Sequence, residues 1–435
     1  MKEVAINIVK RLREAGHVAY FNGGCVRDMV RGVEPQDIDI ATSATPEQVQ
    51  VLFARTVPVG AAFGVVLVLE GGHQFEVATF RSDDAYIDGR RPSAVHFGSP
   101  EEDACRRDFT INGLFYDPIA DQIIDFVGGR VDIERKLVRT IGDPQQRFTE
   151  DKLRLLRCVR FAANLGYEIE TVTFDTVKEM ATQITAVSAE RIRDELVKMF
   201  TRANAGRGLE LLDASGLLRE ILPEIAAMKG VEQPAEFHPE GDVFKHTRLM
   251  LDTLPSNPSV VLAFAVLLHD VGKPPTFVRA PDRIRFNEHD RVGAEMAEAI
   301  LRRLRFSNDE IEKVVLCVRE HMKFQFVKEM RPAKLKRLMA RDTFPDELEL
   351  HRIDCASSHR NLENYEFLKA KAAEMPPEVL KPQPFLTGHD LLALGLKPGP
   401  LVGQILHEVE EMQLEERLKS RAEALEFART RVPAI

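Results

Sequence analysis

Two carboxylates separated by one residue, Asp37 and Asp39, lie in the segment QDIDIAT. Asp-Ile-Asp-Ile alternates polar and apolar, as a strand does. Both acids would leave one face, about 6–7 Å apart along the chain. Two like charges that close need a reason to stay ionised together, and a divalent cation is the usual one. Oxygen donors select a hard ion, Mg²⁺, which keeps positions open for substrate phosphates. Upstream, Gly23-Gly24 end the short apolar run Val18–Phe21. There the backbone could approach a triphosphate, with helix-start N–H groups facing it. A loop and a solvated acidic strand explain each half alone. Both halves, close together and in this order, point to nucleotide-plus-metal chemistry. Glu76, in FEVATFR, offers a third carboxylate on a neighbouring strand, against the plainer reading of a solvated strand residue.

Four further groups of residues could carry chemistry. Arg106-Arg107-Asp108-Phe109-Thr110-Ile111-Asn112 reads as a helix start that puts Asp108 and Asn112 on one face, where they could hold ribose hydroxyls, with the arginines suited to phosphates. A capped helix is the plain alternative. Glu150 to Phe161 (EDKLRLLRCVRF) turns Leu153, Leu156 and Val159 to a core and steps Arg154, Arg157 and Arg160 along a similar face. An ion pair of Asp151 with Arg154 on a solvated helix would contribute only ~0.2–0.5 kcal/mol. Far downstream come His246, His269-Asp270, His289, His321 and Asp354. An apolar helix, Val260–Leu268, delivers His269-Asp270, and Gly272-Lys273-Pro274 stops it. Imidazole and carboxylate from separate helices suit a transition-metal or mixed site. Arg331 to Arg341 (RPAKLKRLMAR) carries five basic residues and no acid, which fits RNA phosphates and a solvated face equally well.

The elements that must position these residues differ along the chain. Candidate strands are Val18–Phe21, Asp37–Ala41, Gly64–Leu69, Gln74–Thr79 and Ile123–Phe126, punctuated by Gly and Pro. Ser82 to Phe97 reads as a mobile loop. From about Asp143 helical periodicity takes over, and Met375 to Phe385, rich in proline, reads as a linker. At 435 residues the chain has room for two or more domains. Its longest apolar run, Val260 to Leu268, is too short to span a bilayer, and the amphipathic N-terminus lacks the apolar core of a signal peptide. Five scattered cysteines without a CxxC (Cys25, Cys105, Cys158, Cys317, Cys355) argue against both a disulfide framework and a zinc ribbon and suit a reducing cytoplasm. The net charge of −9 does not mark a nucleic-acid binder, but local patches, not the total, set such a field.

GGCVRD followed by DIDIAT, RRDFTINGL and EDKLRLLRCVRF, in that order, resembles the class II tRNA nucleotidyltransferase (CCA-adding enzyme) and bacterial poly(A) polymerase family of polymerase-β-like nucleotidyltransferases. The resemblance spans about residues 1–225, and LTGHDLLALGLKPGPLVGQILHEVEEMQLE resembles the family's C-terminal region. Gly113 stands where Ala is common. The family implies that Asp37 and Asp39 bind catalytic Mg²⁺. Gly23, Gly24 and Arg27 contact the triphosphate. Arg107, Asp108 and Asn112 hold the ribose. Asp151 and Arg154 read the base, and Arg157 and Arg160 help with phosphates. Chemistry supports the base reading: cytosine and adenine each present an amine donor beside a ring-nitrogen acceptor. A carboxylate accepts and a guanidinium donates, so the pair fits C and A and leaves unpaired groups against G and U. The implied reaction is template-independent addition of CCA, or part of it, to the tRNA 3′ end from CTP and ATP. Poly(A) tailing is the rival. PVGAAFGVV, with Ala61-Ala62 and no basic pair where poly(A) polymerases resemble one another in a Gly-Arg-Arg-Phe-like signature, favours tRNA, and the full-length DGRRP (Asp88 to Pro92) favours CCA.

The histidine series resembles the HD-domain metal phosphohydrolases over about residues 240–360. It implies that His246, His269, Asp270 and Asp354 hold one metal (Mn²⁺, Ni²⁺, Co²⁺ or Fe²⁺) and that His289 and His321 complete a second site, with phosphodiesterase or phosphatase activity. A third reading makes this domain the working enzyme and the head an RNA-binding module, against which the intact Asp37/Asp39 pair argues. The expected architecture is therefore an α+β polymerase-β-like head (mixed sheet plus helices) at 1–142, then all-α parts: a neck and body at 143–235, an HD domain at 236–362 and a tail at 363–435. No membrane partner is expected, and the sequence is neutral on oligomeric state.

Overall fold

A computed structural model describes residues 1–60, 64–83, 95–234 and 241–431. The chain divides into two compact units, Met1–Ala226 and Ala227–Ile435.

The first unit is built on a seven-stranded mixed sheet. In chain order the strands are β1 (Ala19–Asn22), β2 (Asp39–Thr42), β3 (Thr56–Gly60), β4 (Val65–Glu70), β5 (His73–Thr79), β6 (Arg81–Asp83), β7 (Val95–Phe97), β8 (Leu114–Asp117) and β9 (Gln122–Asp125). The sheet order is β3-β4-β5-β2-β1-β8-β9. Its central strands bury Phe21, Ile40, Phe75, Val77 and Phe115, each at most 1% exposed. β1 and β2 are antiparallel with Asn22 opposite Asp39. β2 and β5 are parallel with Ile40 opposite Val77. Register alone therefore sets Gly23-Gly24 beside Asp39, and Glu76 level with it on the next strand.

Five strands fall within one or two residues of their expected ranges. Asp37 is a correction: it lies in a bend before β2, exposed, with Ile38 buried between it and Asp39. Residues 82–97 also differ, because β6 and β7 pair into an antiparallel ribbon, Arg81 opposite Phe97. The rest of that segment, with Asp88 to Pro92, and Ala61-Ala62 lie outside the described residues. The RRDFTIN stretch is not a helix start. It follows the Pro100–Cys105 helix, bridges Phe109 to Thr140, and makes a single 3-10 turn, Thr110–Asn112. Glycine at 113 is more than a small-for-small change: a Cβ there would meet Val127 Cγ2 at 2.6 Å.

Helices Pro144–Glu150, Leu153–Leu165 and Ala189–Phe200 carry the second half of the unit. Leu153–Leu165 ends in a left-handed Gly166, a common glycine stop. A short parallel pair joins β10 (Leu137–Val138) to β11 (Glu168–Ile169), the latter lying beyond the expected end of strand structure.

The second unit is helical, with one hairpin, β12 (Phe277–Arg279) and β13 (Ile284–Phe286), that the sequence reading lacks. Val260–Leu268 forms as expected and is buried from Val261 onward. The expected linker at Met375–Phe385 contains a helical turn, Pro377–Leu380. The C-terminal helices close a core of Leu391, Ile405, Val409 and Ala424. Among the described residues no helix is long and apolar enough to cross a membrane.

Candidate functional site

In the first unit the carboxylates and the glycine turn meet at one end of the central strands. Gly23 has φ 69° and caps the Gly24–Val30 helix. An added Cβ would sit 3.0 Å from Arg107 Nη1, so glycine is needed for conformation and for space. Its N–H donates to the Leu114 carbonyl at 3.1 Å. Asp39 is the electrostatically strained group. Burial, then Glu76, then Asp37 push its carboxyl up to about 6, with Arg107 opposing. A buried carboxylate raised by two neighbouring acids belongs to an oxygen donor set lacking countercharge, which fits a hard divalent cation. Glu76 thereby joins the cluster, although it is exposed.

The residues expected at the ribose form one hydrogen-bonded chain with Arg27 and Arg157. Arg27 Nη1 donates to Asn112 Oδ1 at 2.8 Å, and Asn112 Nδ2 donates to Asp108 Oδ1 at 3.1 Å. Asp108 Oδ2 accepts Arg157 Nε at 2.8 Å and Nη2 at 2.6 Å. Burial works to raise the Asp108 carboxyl, but Arg157, Asn112 and Arg154 outweigh it and hold it at about 2. Arg107 is clamped by Asp103, with Nη2 to Oδ2 at 2.8 Å, and also donates to the Asn112 carbonyl at 3.3 Å.

Asp151 and Arg154, the pair expected to read the base, do not form the mutual ion pair of the plainer reading. Asp151 caps the Pro144–Glu150 helix. Its Oδ1 accepts the Leu153 N–H at 3.1 Å and its Oδ2 accepts Arg191 Nη2 at 2.8 Å. Arg154, 8% exposed, donates to Glu150 Oε2 at 2.7 Å and to the carbonyls of Arg147 and Arg106, both at 3.1 Å. The two side chains are thus fixed in place by separate partners.

Arg157 and Arg160 differ from the expected phosphate contacts. Arg160 is buried against Phe161, 4.0 Å from the ring centroid, and its Nε donates to Glu195. Burial lowers the Arg160 guanidinium, against Glu195. Arg157 bridges Asp108 to Glu195, whose Oε1 lies 3.6 Å from Nη1. Sequence reasoning missed Glu195 and Arg191, both on Ala189–Phe200. A signal existed: Glu195 interrupts the apolar stripe Ile192, Leu196, Met199, and a charge on a buried face needs a partner.

In the second unit the structure gathers all six residues of the histidine series, from five helices or their ends. Their ligand atoms form two groups, each within 4.8 Å: His246, His269 and Asp354, and Asp270, His289 and His321. Asp270 was expected with the first group and falls with the second. Its carboxylate faces both, with Oδ2 3.1 Å from His269 Nε2 and Oδ1 3.6 Å from His289 Nε2. Gly272 lets the ends meet, since a Cβ there would lie 2.1 Å from the His289 carbonyl. His269, His289 and His321 place Nδ1 at 2.9, 2.9 and 2.6 Å from the carbonyls of Val266, Phe286 and Val318. A carbonyl only accepts, so Nδ1 carries the proton and Nε2 presents a lone pair inward. His289 Nε2 and His321 Nε2 face each other at 3.3 Å, an arrangement that calls for a cation or a proton between them. Burial depresses both imidazoles, His321 to about 4, which favours the cation at neutral pH. Both Asp270 oxygens and His269 Nε2 are buried without a well-aligned hydrogen bond among the described residues, although Oδ2 is ion-paired with Lys273 at 2.7 Å. The donor set fits one or two borderline metal ions.

The basic stretch at 331–341 is largely neutralised. Lys336 is buried on Glu416 and the Leu414 carbonyl, Arg337 meets Glu410, and Arg341 meets Glu320 and Glu347. Arg331 and Lys334 remain exposed.

Comparison with known proteins gives three family matches: the poly A polymerase head domain over residues 19–139, the "Probable RNA and SrmB- binding site of polymerase A" over 166–229, and the tRNA nucleotidyltransferase domain 2 family over 290–428. The third crosses the boundary expected at 362. The chain is 45% identical over 212 residues to the CCA-adding enzyme of Streptococcus mutans, covering 48% of this chain and 53% of that protein. It is 44% identical over 218 residues to that of Bacillus pumilus, covering 50% and 54%. The alignments thus span about half the length of these relatives. The crystal structure of the Bacillus stearothermophilus CCA-adding enzyme in complex with CTP superposes with a TM-score of 0.77 at 26% identity, covering 99% of this chain and 98% of that one. A Thermotoga maritima CCA-adding enzyme complexed with tRNA, at 18% identity and a TM-score of 0.56, covers 97% and 93% and shares the fold.

Proposed function

We propose that the chain belongs to the class II tRNA nucleotidyltransferase (CCA-adding enzyme) family and, from that premise, that it adds CCA to tRNA 3′ ends from CTP and ATP, in the cytoplasm, where its free cysteines would stay reduced. The observation that carries this reading is the single constellation that joins the Asp37/Asp39/Glu76 carboxylates, the Gly23-Gly24 turn and the Arg27–Asn112–Asp108–Arg157 chain within one unit. The proposed division of labour is a head at 1–142, a neck and body at 143–235, a metal-binding helical domain at 236–362 and a tail at 363–435.

Mg²⁺ held by Asp37 and Asp39 would activate the RNA 3′-hydroxyl and neutralise the departing pyrophosphate, as in two-metal transfer. Gly23, Gly24 and Arg27 would seat the triphosphate, and Asp108 with Asn112 would orient the ribose. The α-phosphorus–oxygen bond to RNA would form as the bond to pyrophosphate breaks. Asp151, positioned by Arg191 and the Leu153 N–H, would accept the exocyclic amine of C or A. Arg154 would donate to the ring nitrogen. Incubation with tRNAs lacking one, two or three terminal nucleotides, with CTP and ATP separately and together, tests this. Growth stopping at CCA supports it. Long A-tails on any RNA would assign poly(A) polymerase instead. Asp37→Ala should abolish incorporation and leave the protein folded.

A second reading concerns the six-residue cluster, which we propose binds one or two transition-metal ions (Mn²⁺, Ni²⁺, Co²⁺ or Fe²⁺) and hydrolyses phosphate esters. The facing Nε2 atoms of His289 and His321 favour it. Metal-free purified protein, with no hydrolysis of 2′,3′-cyclic nucleotides, would count against it.

A further inference from the structure

A cavity of about 670 Å³ opens over the histidine cluster, lined by Asp270, His289, His321, Asp354, Lys273 and Gln233 among others. The last two lie outside the ligand set, yet both are buried, at 7% and 5% exposure. Lys273 Nζ lies 2.7 Å from Asp270 Oδ2 and donates to Gln233 Oε1 at 2.6 Å. The Phe286 ring, 5.4 Å from Nζ, limits where the ammonium can go. An ammonium can only donate. The Gln233 amide must therefore turn its oxygen to Lys273 and its Nε2 the other way. That Nε2 is buried and has no hydrogen-bond partner among the described residues. A buried donor left unsatisfied is destabilising, and such a group in a ligand cavity is best explained by an acceptor that arrives with the ligand.

We propose that Gln233, oriented by Lys273, is a donor subsite for one phosphoryl oxygen of a phosphate ester whose remaining oxygens face the metal-ligand cluster. This rests on the reading of that cluster as a metal-dependent phosphate-ester site, and it names the anion-binding group that the reading lacks. The Lys273 ammonium, held 2.6 Å from Gln233 Oε1, favours an anion over a neutral acceptor at the same amide. The subsite selects the phosphoryl group over the rest of the substrate because Lys273 ties Gln233 directly to Asp270.

The test measures binding of inorganic phosphate to the full-length, Mn²⁺-loaded protein by calorimetry, together with metal content and thermal melting. Gln233→Glu keeps an oxygen for Lys273 and replaces the donor by an anionic acceptor. Gln233→Met removes the donor without adding charge. Both should bind phosphate about 10–100-fold more weakly, as expected for losing a hydrogen bond to a charged group, with Mn²⁺ content and melting unchanged. Equal phosphate affinity in the metal-loaded variants, with a water satisfying Nε2 instead, overturns the subsite. So does a loaded wild-type protein that binds no phosphate. Failure of wild-type protein to take up any transition metal would instead sink the metal reading underneath. Should Gln233→Glu also lower metal content, the Gln233→Met measurement decides.

Discussion

Replacing Asp39 by Asn should stabilise the metal-free first unit while destroying its chemistry. The Asp39 carboxyl is raised from 3.8 to about 6 by burial, Glu76 and Asp37. An acid whose folded value is raised binds more protons in the folded than in the unfolded state. Stability is then greatest below about pH 4, falls as pH rises through 6, and stays reduced above it. At 1.36 kcal/mol per unit the deficit at pH 8 is about 3 kcal/mol, and at pH 5 about half of that. Asparagine keeps the shape and cannot ionise, so most of this strain is relieved, less what the Arg107 attraction contributed. We expect a gain of about 1–3 kcal/mol, or about 2–10 °C in the transition of a unit this size. Calorimetric melting in EDTA at pH 5 and pH 8 reads it directly, with the two units followed as separate transitions. Mg²⁺ should raise the wild-type transition and leave the variant unmoved. A variant that melts below wild type at pH 8 in EDTA, or that gains equally at both pH values, would refute the account of Asp39 as a carboxylate strained for a cation.

Two further outcomes follow from the ion-pair network. Glu195→Gln strands the buried Arg160 guanidinium and should cost about 3–5 kcal/mol, read as a lower urea midpoint at unchanged slope; a loss under about 1 kcal/mol would show that Arg160 finds another partner. Exchanging the base-reading pair (Asp151→Arg with Arg154→Asp) should shift preference from CTP and ATP toward UTP and GTP in relative kcat/KM, and an unchanged preference sinks the assignment. Because the swap sets arginine against Arg191 and aspartate against Glu150, adding Arg191→Glu should recover stability without restoring the original preference.

The chemistry of this protein was legible locally. Gly-Gly, Asp-Ile-Asp, the RRDFTIN run and EDKLRLLR each stand out by residue type as the parts of the proposed site, and β-alternation around Ile38 and Ile40 survives even though β2 begins only at Asp39. The His-Asp pair at the end of an all-apolar helix was readable for the same reason. What the sequence could not determine were relations between residues far apart in the chain. Glu76 joins Asp39 only because β5 lies parallel beside β2. Asp151 is held by Arg191, forty residues on. Arg157 and Arg160 turn inward because Glu195 waits on a helix packed against theirs. Asp270 lies between two ligand groups because Gly272 lets the Val260–Leu268 helix end touch the His289 backbone. Amphipathic periodicity shows that a face is buried, but which charge meets which inside it depends on helix packing and strand register, and these exist only in the folded chain.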